Sequence, residues 1–182
     1  MSVNDFKKLA WTLSRDEFAA EWPCAFLTGI QALARPRALH KTIDFEAVAN
    51  DATVAGPLEE PKPVERLSPS VMAVPIRKTS AAFPQMITVG RTPNNDIILT
   101  DFQVSKFHAF FRQTPEGLFL ADAGSRNGTF LDAERLVNKA KPSLVEPGAR
   151  ISFGKLRFTL LDAARAWDFL RREVVADSTR SA

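Results

Sequence analysis

Residues 89–131 read VGRTPNNDIILTDFQVSKFHAFFRQTPEGLFLADAGSRNGTFL, and the fold turns on how this stretch is punctuated. Apolar or β-favouring runs at 96–99, 107–112, 118–121 and 129–131 alternate with turn signals at Asn94-Asn95, Pro115-Glu116-Gly117 and Asn127-Gly128. Short runs of Val, Ile, Leu, Phe and Thr between Gly, Pro and Asn clusters read as strands joined by tight turns. The same rhythm continues outward. It extends N-terminally through 86–89 and 71–76, and C-terminally across Pro147-Gly148 to 150–153 and 156–161. Many short strands at close spacing predict a mainly β domain, a sandwich or barrel, over residues 71–161.

The flanks read differently. Phe6, Leu9 and Leu13 recur at helical spacing and share one face. Ser14 and Glu17 have the capping-box spacing that opens a second helix, whose apolar face carries Phe18 and Trp22 and which Pro23 ends. Cys24–Ile30 fits either a strand or a buried turn. Residues 1–56 are therefore expected to form a short, mostly helical extension, too small for an independent core and leaning on the main domain or a partner. Prolines 57, 61, 63 and 69 among charged residues predict an extended linker over 57–70. After the β domain, Asp162 is a helix cap. Ala163, Ala166, Trp167, Leu170 and Val174 form one apolar face, with Arg171 and Arg172 suited to the helix end. A helix over 162–175 and a flexible tail over 176–182 follow from this.

Composition narrows the function. The 182 residues carry 24 Lys plus Arg against 21 Asp plus Glu, a formal net charge of +3. That excess is too small to imply nucleic-acid binding without a concentrated patch, and no aromatic-basic stripe is present. A single cysteine, Cys24, and two histidines, His40 and His108, leave no internal disulfide and no cysteine-based zinc site. Neither a metal nor a cofactor is expected. No apolar run reaches the roughly 18–20 residues that span a bilayer, so a cytoplasmic protein without a membrane partner is expected.

Three clusters carry the chemistry: Gly90-Arg91, then Ser105-Lys106-Phe107-His108, then Gly124-Ser125-Arg126-Asn127-Gly128-Thr129. They fall in loops or at strand ends, where one end of a sandwich forms a recognition surface. Arg91 and Arg126 offer planar guanidinium forks, Lys106 a point charge and Ser105 a hydroxyl donor. Gly124 and Gly128 allow turns that expose backbone N–H groups to an anion. Asn127 can donate to and accept from a peptide backbone at once. A phosphorylated side chain on an extended peptide would use all of these. Ser105 and His108 do not read as nucleophile and base, because the nucleophile-elbow pattern and a matched acid are missing. No catalytic role is expected.

The segment resembles the forkhead-associated (FHA) domain, a phosphothreonine-peptide-binding β-sandwich. The match runs through Gly90-Arg91, Asn95-Asp96-Ile97-Ile98-Leu99, Val104-Ser105-Lys106-Phe107-His108-Ala109, Ser125-Arg126-Asn127-Gly128-Thr129-Phe130, Gly148 and Ile151-Ser152-Phe153-Gly154. The resemblance implies that Arg91 and Ser105 bind the phosphate, with Lys106 facing it. It implies that Arg126 and Asn127 contact the phosphothreonine and its neighbouring backbone. Gly90, His108 and Gly128 would shape the loops. Phe107, Asp132-Ala133 and Ala149 depart from the family's usual residues, and none is a principal phosphate ligand. The implied partner is a phosphothreonine-containing protein or peptide, such as a Ser/Thr kinase or its substrate. The rival expectation is a phosphate-independent FHA-like scaffold, whose partner contacts lie in residues 1–56 or the C-terminal helix. A variant is self-recognition of a phosphorylated Thr12, Thr28, Thr42, Thr53 or Thr79.

Overall fold

Alternation along the strands builds two facing sheets. The computed structural model describes residues 3–31, 70–137 and 141–178. Its elements are α1 (Val3–Thr12), α2 (Arg15–Glu21), β1 (Phe26–Gln31), β2 (Ser70–Pro75), β3 (Ile87–Gly90), β4 (Ile97–Ile98) and β5 (Ala109–Thr114). They continue as β6 (Gly117–Asp122), β7 (Thr129–Leu131), β8 (Glu134–Arg135), β9 (Ser143–Leu144), β10 (Arg150–Phe153), β11 (Leu156–Leu161) and α3 (Ala163–Ser178). One sheet has the order β2-β1-β11-β10-β7-β8 and the other β4-β3-β5-β6-β9. The pairs are antiparallel except β3 with β4.

In β11, Leu156, Phe158 and Leu160 point inward while Arg157 is exposed, which is the period-2 pattern of a half-buried strand. With Leu27, Val89, Ile97, Phe111, Leu120, Ile151 and Phe153 these fill the space between the sheets. Each such side chain stabilises the fold by roughly 1.5–3 kcal/mol relative to leaving it in water.

The N-terminal segment is not only helical. β1 pairs along one edge with β11 (Phe26 opposite Leu161) and along the other with β2 (Gln31 opposite Ser70). Sheet pairing therefore begins well before residue 71. The reason is visible in two adjacent residues: Leu27 enters the sandwich core, and Phe26 faces the helices from the outer face of the same sheet. Residues 57–69 of the expected linker lie outside the described residues, and Ser70 already opens β2.

The helices cover that outer face with a second apolar cluster of Phe6, Ala10, Phe18, Trp22, Phe26, Ala73, Ala166 and Leu170. Phe6 meets Trp22 and Phe26 edge-on, at 4.9 and 5.6 Å between ring centres. The Ser14 hydroxyl accepts from the Glu17 N–H at 3.3 Å and the Glu17 carboxylate accepts from the Ser14 N–H at 2.8 Å, closing the capping box. Asp162 caps α3 through the Arg165 N–H at 2.8 Å. The Trp167 indole N–H donates to the Leu13 carbonyl at 3.1 Å, tying α3 to the α1–α2 corner. α3 runs to Ser178, beyond the expected end at 175, so Arg171 sits mid-helix and not at its terminus. Its guanidinium lies 4.5 Å above Trp11 and 4.7 Å above Trp167, a cation–π sandwich that holds α3 on α1. Residues 179–182 of the expected tail lie outside the described residues. Among the described residues no helix is long and apolar enough to cross a membrane.

Candidate functional site

Three loops meet at one end of the sandwich: 91–96 between β3 and β4, 99–108 between β4 and β5, and 123–128 between β6 and β7. Backbone bonds through Ser105 bring them together. The Arg91 N–H donates to the Ser105 carbonyl at 3.1 Å, and the Arg126 N–H donates to the Ser105 hydroxyl at 3.0 Å. Arg91, Lys106 and Arg126 are exposed, and among the described residues none forms an ion pair. The backbones of two exposed arginines thus meet at one serine, with Lys106 next to it in the chain. Because the Ser105 oxygen accepts from Arg126, its own O–H remains available to an outside acceptor.

Gly90 makes the approach possible. A Cβ there would sit 2.2 Å from the Lys106 carbonyl oxygen and 2.7 Å from the Asn95 amide nitrogen, so no side chain fits. The Lys106 carbonyl is in turn held by the Asn95 Nδ2 at 2.7 Å and the Thr92 hydroxyl at 2.9 Å. Asn95 is 5% exposed. It was part of the sequence motif but not among the expected site residues, yet it is the strut between two of the loops.

The third loop hangs from Asp122. Its carboxylate accepts from the Gly124 N–H at 2.8 Å, the Ser125 N–H at 3.0 Å, the Ser125 hydroxyl and the Thr129 hydroxyl at 2.7 Å. Burial opposes ionisation of Asp122, but these donors outweigh it and hold the carboxyl below the usual carboxylate range. Ser125 also accepts from the Gly128 N–H at 3.0 Å, closing the turn. Gly128 has φ 83°, the left-handed region that favours glycine. The sequence signal for Asp122 was present but unused: an acid three residues before a serine at the end of a strand is a turn-forming pattern.

Asn127 is exposed and gives one amide hydrogen to the Gln103 carbonyl at 2.7 Å. That bond fixes its orientation and leaves Oδ1 and the second N–H for a ligand backbone, fewer groups than the free amide expected from sequence.

His108 is fully buried, and its ring joins the 99–108 and 123–128 loops. Its Nδ1 accepts from the Ser105 N–H at 3.0 Å, so the ring proton is on Nε2, which faces the Gly128 carbonyl at 3.1 Å. Burial pushes its pKa below the ordinary 6.5, against the pull of the Gly128 carbonyl and the Asp122 carboxylate. An unfolded chain takes up this proton at a higher pH than the folded one. His108 should therefore contribute stability that is complete above about pH 6.5 and lost as pH falls below it. Urea unfolding between pH 5 and 8 should show this decline in the wild type and not in His108→Gln. Equal pH slopes in the two proteins would contradict the assignment.

A profile of the FHA domain matches residues 87–154, which span β3 to the end of β10 and hold all three loops. Glycogen accumulation regulator GarA of Mycobacterium tuberculosis is 30% identical over 124 residues, covering 65% of this chain and 74% of GarA. The chain belongs to the FHA-domain family. A second relative, the oxoglutarate dehydrogenase inhibitor of Corynebacterium diphtheriae, is 34% identical over 79 residues, 43% of this chain and 52% of that protein. The chain spans about half the length of the corynebacterial relatives it matches. Both relatives are named for regulation or inhibition, not for a reaction. Among solved structures, Mycobacterium tuberculosis EmbR in complex with a low-affinity phosphopeptide is similar at 24% identity and a TM-score of 0.43, over 50% of this chain and 22% of EmbR. The matched residues hold all three loops, while β1, β2, β11 and the three helices lie outside them.

Proposed function

We propose that this protein is a non-enzymatic reader of phosphothreonine in a Ser/Thr-kinase signalling assembly of the cytoplasm. The observation that carries this reading is the meeting at Ser105 of loops that bear three exposed cations, Arg91, Lys106 and Arg126, none of them ion-paired among the described residues. In the proposed complex Arg91 grips the phosphate as a fork, Ser105 donates its hydroxyl, and Lys106 and Arg126 add charge. Asn127 holds the peptide backbone. Gly90, His108, Gly128, Asn95 and Asp122 keep the loops in place before the ligand arrives, so little ordering cost falls on binding.

The test is a titration of the full chain with matched phosphothreonine, phosphoserine and unphosphorylated peptide libraries. Selective phosphothreonine binding is the expected result. The phosphate loses its second proton with a pKa of about 6, so affinity should fall as pH drops through that value. Binding that is indifferent to phosphate, or constant between pH 5 and 8, would favour the phosphate-independent scaffold.

Self-recognition through Thr28 is closed in the folded chain. Thr28 is 1% exposed, and its hydroxyl donates to the Thr159 carbonyl at 3.1 Å. Thr42 and Thr53 lie outside the described residues.

A further inference from the structure

Among the described residues no helix covers the outer face of the five-stranded sheet, and an aromatic row lies there that begins beside the 99–108 loop. Phe107 follows Lys106 directly in the chain. Its ring lies 6.1 Å from that of Phe83, at 2° to it, and 6.5 Å from that of Phe110, at 23°. Phe83 is 59% exposed and Phe107 39% exposed, while Phe110 packs with Ala121, Ala123 and Met86 in a cluster apart from the sandwich core. Exposed aromatic clusters of this kind mark contact surfaces.

The row is also built to stay in place. Phe83 has φ 52°, a conformation that costs a non-glycine residue energy and persists only where its surroundings impose it. The segment carrying it is pinned by Asp96, which accepts from Lys78 Nζ and from the N–H groups of Thr79 and Ser80, each at 2.8 Å. The Met86 N–H returns to the Phe83 carbonyl at 2.8 Å.

We propose that this row is a second contact for the same phosphorylated partner, receiving an extended segment with apolar side chains two residues apart. The proposal rests on the phosphothreonine reading above. Two observations favour this occupant. The row is continuous with the phosphate loops through the Lys106–Phe107 peptide bond. The 6.1 Å spacing of its two exposed rings is also close to the repeat of an extended chain, in which same-face side chains recur about every 6.4–6.8 Å. Phe83 and Phe107 would then set sequence preference outside the phosphate site, with the buried Phe110 ring behind Phe107.

The experiment is an oriented phosphothreonine peptide library on the full chain, followed by single peptides carrying Leu-x-Leu or Ser-x-Ser at the selected positions. Wild type should select paired apolar residues and bind the Leu-x-Leu peptide about tenfold more tightly. Phe83→Ser and Phe107→Ser, both at exposed positions, should bring that ratio to about one while phosphate dependence persists. Phe107→Leu should restore part of it, which separates a lost contact from a misfolded loop. Phosphate-dependent binding with no apolar selection would overturn the proposal and spare the phosphothreonine reading. Apolar selection without phosphate dependence would overturn that reading instead and support the row as a peptide site. Sedimentation of each protein checks the remaining occupant: a dimer that either serine variant makes monomeric would assign the row to self-association and overturn the proposal.

Discussion

Arg91→Ala is expected to lower phosphothreonine-peptide affinity by about 2–5 kcal/mol, at least roughly thirtyfold, with little change in stability. The two halves of this prediction have separate causes. The Arg91 guanidinium is exposed and without an ion pair among the described residues, so the free protein loses nothing when it is cut away. In the proposed complex, however, a phosphate dianion would lose its planar partner. The position also discriminates shape from charge. Arg91→Lys keeps the charge but not the fork, so recovery of less than half the lost binding energy is expected. Isothermal titration with one phosphothreonine peptide checks all three proteins, and an unchanged affinity in Arg91→Ala would remove Arg91 from the phosphate site.

The second large effect is on stability. Asp96→Ala should cost about 3 kcal/mol or more, because it removes the buried acceptor that Lys78, Thr79, Ser80 and Thr88 share. The Asp96 side chain is fully buried. It accepts from Lys78 Nζ and the N–H of Thr88 at 2.8 Å and from the Thr88 hydroxyl at 3.0 Å, besides the Thr79 and Ser80 N–H groups. Burial works against the charged form, yet Lys78 and the backbone donors of Thr88, Thr79 and Ser80 prevail and hold the carboxyl far below the usual carboxylate range. The folded pKa is depressed, so the stabilisation is complete above the unfolded value of about 3.9 and disappears as pH falls beneath it. The wild type should thus lose stability below about pH 4 more steeply than Asp96→Asn. Thermal unfolding between pH 2.5 and 7 is the measurement; parallel curves would show that Asp96 is not the acid-sensitive strut. This window lies below the one assigned to His108, so the two titrations can be told apart.

Much of this molecule was legible in its residues. Strand alternation with Gly, Pro and Asn punctuation is a local signal, and it located β2 to β7, β10 and β11 to within a few residues, while the two-residue β8 and β9 are too short to show a period. Ser14 with Glu17 and the cap at Asp162 are equally local, since each cap is made by atoms three residues apart. Arg91, Ser105, Lys106, Arg126 and Asn127 were found as an oxyanion inventory, and the structure brings their backbones to one end of the sandwich.

What only the tertiary structure decided has a common physical reason: it depends on pairs of atoms far apart in the chain. Cys24–Ile30 was open between strand and turn because a short apolar run has no period to read. Neighbours on both edges, β2 and β11, and burial on both faces make it β1. The struts Asn95, Asp96 and Asp122 look like ordinary polar loop residues until their donors arrive, for Asp96 from residues 78, 79, 80 and 88. The tautomer of His108 is set by Ser105 on one side and Gly128 on the other. Sequence alone carried the kinds of groups that could meet a phosphate; packing alone determined which of them are left free to do so.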